Sequence, residues 1–214
     1  MHAGGPTVLA VPMGSCEQHG PHLPLDVDTR IAVALADGLA AARPDVVVAP
    51  AVAYGASGEH SGFAGTLSIG RDATALLVLE LVRSADAFIG VVLVNAHGGN
   101  AEALARSVAT LQAEGRRVLP WSPAGSGDAH AGRRETSALL ALAPSIVHLE
   151  RAEAGATAPL AELMPALRGG GVVAVAPNGV LGDPAGASAL EGREWLASTT
   201  ATLVDAVDRW RRQW

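Results

Sequence analysis

TVLAVPMGSCEQHGPHLPLDVDTRIAVALADGLAAA, residues 7–42, is the stretch that decides the fold. Its first seven residues are almost all apolar, which predicts a buried strand over 7–13. Residues 29–42 carry apolar side chains at helical spacing, which predicts a helix. Between them runs a turn crowded with Gly, Pro, His and acids. A strand that passes through a polar turn into a helix is the opening of a βαβ unit. The pattern recurs outward from here. Strands are predicted over 45–52, 91–95 and 117–121, and helices over 72–87, 100–114, 133–142 and 189–214. Asp72 is the expected N-cap of its helix, Gly115 the left-handed stop of the next, and Pro144 the block after the fourth. Continuous apolar strands alternating with helices predict an α/β fold with a parallel sheet covered on both faces. Residues 150–184, rich in Ala, Gly and Pro, read as a surface excursion, a subunit contact or part of a site rim. No 20–50-residue repeat and no linker interrupts the chain, so 1–214 is read as one domain.

Composition narrows the function. Hydrophobic residues make up 49% of the 214, enough for a sizeable core. Fifteen basic residues, all Arg, stand against 21 acidic ones, a net charge of -6. That balance excludes a polybasic nucleic-acid binder. A single cysteine, Cys16, excludes an intramolecular disulfide framework and a CxxC zinc site. It is read as a core or supporting thiol, since nothing electropositive activates it. The first residues, MHAGGP, have neither the basic nor the apolar segment of a leader, and no apolar run reaches the ~18–20 residues that span a bilayer. The expectation is a soluble cytoplasmic protein with no nucleic-acid or membrane partner.

In a parallel sheet, chemistry gathers beyond the carboxyl ends of the strands. Here four such loops each offer a His beside an acid or amide: Glu17–Gln18–His19, Glu59–His60, His97 with Asn95 and Asn100, and His130 with Asp128 and Glu135. On an extended segment Glu17 and His19 point the same way. Gly20, Pro21 and Pro24 then turn the chain so that Asp28 swings back toward them. Carboxylates and imidazoles in this mixture are ligands for Zn(II), Mn(II) or Fe(II), and Asp28 can bridge two ions with its two oxygens. Two such ions share one water and acidify it. Charge balance for two dications asks for a third carboxylate. Glu135 is the first choice and Glu59 the second. His22 is expected to order its loop, and His2 and His148 to be structural or exposed. No G-x-S-x-G nucleophile elbow occurs, and the turn after the first strand, GSCEQHG, places an acid where a phosphate would sit.

These motifs resemble the creatininase family. The resemblance rests on Glu-x-His-Gly-x-His-Leu-Pro with Asp28 eleven residues after Glu17, on Gly-Glu-His at 58–60, on His-Gly-Gly-Asn at 97–100, and on His-Ala-Gly-x-x-Glu-Thr-Ser at 130–137. It covers roughly residues 7–145. The phrases PLDVDTRIA, YGASGEHSGFAGTLSIG and DAHAGRRETS look closer still to one branch, the peptidases of mycofactocin biosynthesis. The resemblance implies a three-layer α/β/α fold with a mainly parallel central sheet, two divalent ions, hydrolysis of a C–N bond and a homo-oligomer. It implies Glu17, Asp28 and His97 around one ion, and His19 and Asp28 around the other. For the branch it implies removal of a C-terminal Val-Tyr dipeptide from a modified precursor peptide. The alternative is a small-molecule amidohydrolase acting on a cyclic amide or formamide. One position departs from creatininase proper, where a Glu ligand of the second metal stands two residues after the loop His. Here that position is Gly99, which strengthens the case for Glu135. Creatininase proper also uses pocket tryptophans that have no clear counterpart here, so creatinine is a poor substrate guess. His130, Glu59 and His60 are the reachable acid–base groups, with His130 favoured and placed at the pocket mouth. Arg133 and Arg134 are candidates for a substrate carboxylate, although solvated charges are the commoner role.

Overall fold

The computed structural model describes residues 7–124 and 127–214. The reading of 1–6 as free of a leader, and His2 with it, lies outside the described residues. Four strands, β1 (Val8–Met13), β2 (Val46–Val48), β3 (Gly90–Asn95) and β4 (Val118–Trp121), form a parallel sheet in the order β2-β1-β3-β4. Val8 lies opposite both Val46 and Gly90, and Val91 opposite Val118. The central strands send alternate side chains to opposite faces. Val8, Ala10, Val92 and Val94 enter one core, and Leu9, Val11, Met13, Val91 and Leu93 the other. Both sides of β1 and β3 must therefore be apolar, which is why their sequences show no polar alternation.

Among the described residues, α-helices α1 (Val27–Ala42), α2 (Gly70–Arg83), α3 (Ala101–Ala113), α4 (Arg133–Leu142), α5 (Leu160–Val175) and α6 (Ala189–Arg211) complete the fold. Leu35 and Leu39 of α1, Leu139 of α4, and Leu203 and Val207 of α6 close the first core; Val78, Val82, Leu104, Val108 and Leu111 of α2 and α3 close the second. Each such side chain contributes about 1.5–3 kcal/mol by leaving water. The fold is thus the three-layer α/β/α arrangement, with the sheet in the middle.

Several boundaries differ from expectation, each for a local reason. The strand expected over 45–52 ends at Val48. Pro12 of β1 has no N–H to give the Ala49 carbonyl, so the ladder breaks there and resumes only as single bonds from Val52 to Pro12 and from Gly14 to Val52. Asp72 is not the N-cap. Gly70 opens α2 with φ +78, Ser68 Oγ takes its N–H at 3.2 Å, and Asp72 pairs with Arg106 on α3 at 2.8 Å. Gly115 does end α3 as expected, with φ +80, and Arg116 N–H closes back on the Leu111 carbonyl. The largest departure is 150–184, which contains α5. Pro165 within it and a break at Gly171 (φ +70) hide the helical period. Its Leu163, Leu167, Val172 and Ala176 pack with Leu181 and Phe63 into a third small core. That core props the helix against the turn at Gly58–His60.

Candidate metal centre

All four loops named from the sequence meet beyond the carboxyl end of the sheet. The loop after β1 returns on itself because Glu17 N–H bonds to the Leu25 carbonyl (3.0 Å) and Gly20 takes φ +65. This brings Asp28, in the first turn of α1, back beside Glu17 and His19. Gly14 is required for the approach, since a Cβ there would lie 2.4 Å from the Thr29 backbone nitrogen. Asn100 braces the loops from behind. Its amide donates to Gly14 O and Asn95 Oδ1, and its carbonyl accepts from Ala56 N–H.

At the centre, Asp28 offers one oxygen to each of two imidazoles. Oδ1 lies 3.3 Å from His19 Nε2, and Oδ2 lies 3.3 Å from His97 Nδ1. Ser15 Oγ donates to Oδ2 at 2.6 Å and fixes the carboxylate plane. Glu17 Oε1 stands 3.2 Å from His97 Nδ1, 3.3 Å from His60 Nε2 and 3.7 Å from His130 Nδ1. Glu135, in the first turn of α4, places Oε2 3.9 Å from His19 Nε2, and accepts the Ala131 N–H at 2.6 Å. Each inner imidazole spends one nitrogen on a backbone carbonyl. His19 Nδ1 donates to Glu17 O (3.1 Å) and His97 Nε2 to Ala56 O (3.0 Å). Their other nitrogens face the carboxylates, where a cation could replace the proton they hold, and the backbone carbonyls fix the ring orientation as they do for histidine ligands in metal sites.

The residues fit a pair of divalent cations. Both carboxylate oxygens of Glu17 and Nε2 of His19 are buried with no hydrogen-bond partner. Isolated, such atoms are costly; around a cation they are satisfied. Donor atoms of Glu17, His19 and Asp28, and of His19, His130 and Glu135, lie within 4.8 Å of one another. Ligands ~2.0–2.2 Å from one ion stand about 3–4 Å apart, so only small adjustments separate these groups from a coordination shell. The electrostatics agree. Burial works against the imidazolium of His19, yet the Asp28, Glu135 and Glu17 carboxylates outweigh it and lift the group to about 9. Burial also opposes the charged Asp28, and His19 and His97 override it to hold the carboxyl well below its usual range. Around His19 and His97, then, the carboxylates outweigh the burial penalty on positive charge, as a cation bound there would require.

The remaining expected residues fall in three ways. Glu135 joins the cluster, beside His19 and His130. Glu59 sits at its edge: Oε1 is 3.7 Å from His97 Nε2, its side chain is 36% exposed, and its carboxylate fills the space that a Cβ at Gly99 would need. Burial raises its carboxyl above the ordinary range. His130 lies on the floor, not at the pocket mouth. It is buried, its ring tilted against those of His19 and His60 with centroids 4.2 Å and 4.4 Å away, and it is held by paired backbone bonds to Leu181. Ala131 beside it takes φ +54, a conformation that costs a residue with a Cβ about 1–2 kcal/mol. Arg133 and Arg134 turn outward. Arg133 pairs with Glu191 at 2.8 Å, and Arg134 lies 5.7 Å over the Trp195 ring. His22 orders its loop as expected, with Nε2 donating to Thr136 Oγ1 at 2.9 Å and its carbonyl accepting from His148 N–H. His148 is exposed, beside Glu150. Cys16 Sγ faces the Gly65 carbonyl at 3.7 Å, outside the cluster. Ser15 and Gln18 carry no signal in the sequence, and Asn100 shows there only as an amide in the His97 loop.

The family model described as creatininase, creatinine amidohydrolase, matches residues 2–207. A curated mycofactocin precursor peptide peptidase of Mycobacterium ulcerans (strain Agy99) is 52% identical over 96% of this chain and 86% of its own length. Among solved structures, a manganese creatininase superposes with a TM-score of 0.79 at 25% identity, covering 96% of this chain and 91% of the other. A zinc–zinc form of a creatininase variant gives 0.77 at 26%, covering 95% and 90%. With the sheet order, the loops and the ligand-like cluster all in place, and a match running through nearly the whole chain, this protein belongs to the creatininase family.

Proposed function

We propose that this chain is a metal-dependent amide hydrolase that trims the mycofactocin precursor peptide, releasing its C-terminal Val-Tyr dipeptide. The buried, unpartnered Glu17 oxygens and His19 Nε2, amid converging imidazoles, carry the reading of a metal hydrolase. The 52% identity to the named peptidase over nearly the whole chain supports the substrate. Glu17, Asp28 and His97 would hold one ion, and His19, Asp28 and Glu135 the other, with Asp28 shared. Divalent ions there, drawn from Fe(II), Zn(II) and Mn(II), would acidify a water and polarise the scissile carbonyl. Ser15 and the carbonyls of Glu17 and Ala56 keep the ligand side chains in register, so little reorganisation is needed during reaction. His130 Nδ1 holds a lone pair toward the cluster. It takes the proton released by the attacking water and returns it to the departing amine nitrogen, so the proton balance closes at one atom. Glu59, at the rim with a raised carboxyl, is the second proton carrier.

Among the described residues no helix is long and apolar enough to cross a membrane. We take the enzyme to act in the cytoplasm, as a homo-oligomer. The test is digestion of the modified precursor by protein reconstituted in turn with each metal, followed by mass spectrometry. Loss of the dipeptide is the expected result. An untouched peptide together with hydrolysis of a cyclic amide or formamide would instead favour the small-molecule amidohydrolase.

A further inference from the structure

Two buried histidines at the centre, His60 and His130, share a neighbour that belongs to neither the ligand set nor the acid–base pair. Gln18 is 6% exposed, and its amide orientation is unambiguous. Its Oε1 accepts from Gly20 N–H at 2.9 Å, and its Nε2 donates to the Gly179 carbonyl at 3.1 Å. Backbone groups have fixed donor and acceptor roles, so the amide cannot be turned over without two mismatches. Gly179, at φ +78, admits this contact only because it lacks a Cβ, which would fall on Gln18 Oε1. The second Nε2 hydrogen then points to His60 Nδ1 at 2.9 Å. Nδ1 is therefore an acceptor, and the neutral ring carries its hydrogen on Nε2, 3.3 Å from Glu17 Oε1.

The backbone of the same residue governs the other ring. Gln18 O lies 2.7 Å from His130 Nε2, a contact that requires a hydrogen on that nitrogen. The 3.2 Å approach of Gln18 Nε2 to the same atom is then a neighbouring donor, because both Gln18 amide hydrogens are already committed. Both rings thus carry hydrogen on Nε2 but are turned in opposite senses. His60 presents an N–H to the cluster, and His130 presents a lone pair from Nδ1. The donor group Glu17, His60 and His130 would form a third metal triad by distance alone. A hydrogen on His60 Nε2 excludes it.

We infer that Gln18 is a positioning residue. Its side chain fixes His60 as a hydrogen-bond donor that binds no metal, and its carbonyl fixes His130 as the proton acceptor. The assignment of His130 as acceptor in turnover rests on the hydrolase reading above; the protonation pattern of the rings does not. The test is imidazole nitrogen NMR on zinc-loaded, 15N-histidine-labelled protein at neutral pH, with signals assigned by comparison with His60→Ala and His130→Ala. In the wild type, His60 is expected to show a protonated Nε2 and a bare Nδ1. In Gln18→Glu, a carboxylate replaces the donor, so His60 Nδ1 gains a proton. His130, held by the backbone carbonyl, keeps its pattern and serves as the internal control. A wild-type His60 that is metal-bound or protonated on Nδ1 overturns the inference, even if the variant does not fold. So does a folded Gln18→Glu protein in which His60 is unchanged. Failure to cleave the precursor peptide would defeat the functional reading and leave this pattern standing.

Discussion

The outer surface of α2 and α3 and the cluster beyond the sheet are both rich in charge, and they treat it in opposite ways. On α2 and α3 each charge has a mate: Arg71 with Glu102, Arg106 with Asp72, Arg83 with both Glu80 and Glu114, and Arg116, just past α3, with Asp86. Most of these side chains are well exposed, so water screens them and each pair is worth about 0–1 kcal/mol. In the cluster, Glu17, Asp28 and Glu135 lie together with imidazoles as their ionic neighbours, three of them around Glu17 Oε1 at 3.2–3.7 Å. A fold that pairs its surface acids so readily, yet leaves the buried ones to imidazoles, offers there the setting that the proposed cations would need. Charge therefore reports function here only where it is buried and unmatched.

Substitutions on the two sides of this contrast should differ by orders of magnitude. His97→Ala or Glu17→Gln removes a ligand and is expected to abolish metal binding. Peptide cleavage should then fall by about 10³-fold or more, since several kcal/mol of charge stabilisation are at stake. Metal analysis and a cleavage assay on the same preparation check this together. Glu135→Gln against Glu59→Gln sharpens the ligand set. The first should leave one metal equivalent per chain, and the second should keep both ions and cost about 10–100-fold in activity, as a neighbour of His97 does. Equal metal loss in the two would contradict the division.

Stability effects are smaller. Burial and then the charge of His19 depress His22 from 6.5 to about 4, so folded protein resists the proton that the unfolded chain accepts. The sign follows: the contribution is present above pH 6.5 and drains away as pH falls toward 4. Chelator-treated protein should lose about 2–3 kcal/mol across that window from this residue, and His22→Gln should flatten the loss in denaturation curves. At the bottom of the scale, Arg106→Ala breaks an exposed pair with Asp72 and should change stability by less than about 1 kcal/mol, with activity intact. A larger loss would mean that the outer pairs are not the interchangeable surface contacts described above.

How much of this was legible in the chain follows from where each signal lives. The sheet could be read because β1 and β3 are buried on both faces, which forces continuous apolar runs. The ligand cluster could be read because a parallel sheet delivers its loops to one end and the motif residues stand at fixed spacings within them. α5 was hidden, since Pro165 and the glycines around Gly171 erase its period and its apolar face covers a small satellite core. The burial of His130 is illegible in the sequence for a related reason. Its burial depends on pairing with Leu181, a contact across about fifty residues that no local spacing encodes. The same holds for Gln18, whose partners Gly179, His60 and His130 come from three distant segments. Arg133 and Arg134 looked available because Glu191 and Trp195, on the last helix, are invisible from their own neighbourhood.

The central claim is that the buried carboxylates and imidazoles hold two divalent ions that share Asp28. Anomalous diffraction from a crystal of zinc-loaded protein tests it most directly. Two peaks are expected, one bordered by Glu17, Asp28 and His97 and the other by His19, Asp28 and Glu135. A map in which ordered zinc appears elsewhere, and none lies beside Asp28, would contradict the account.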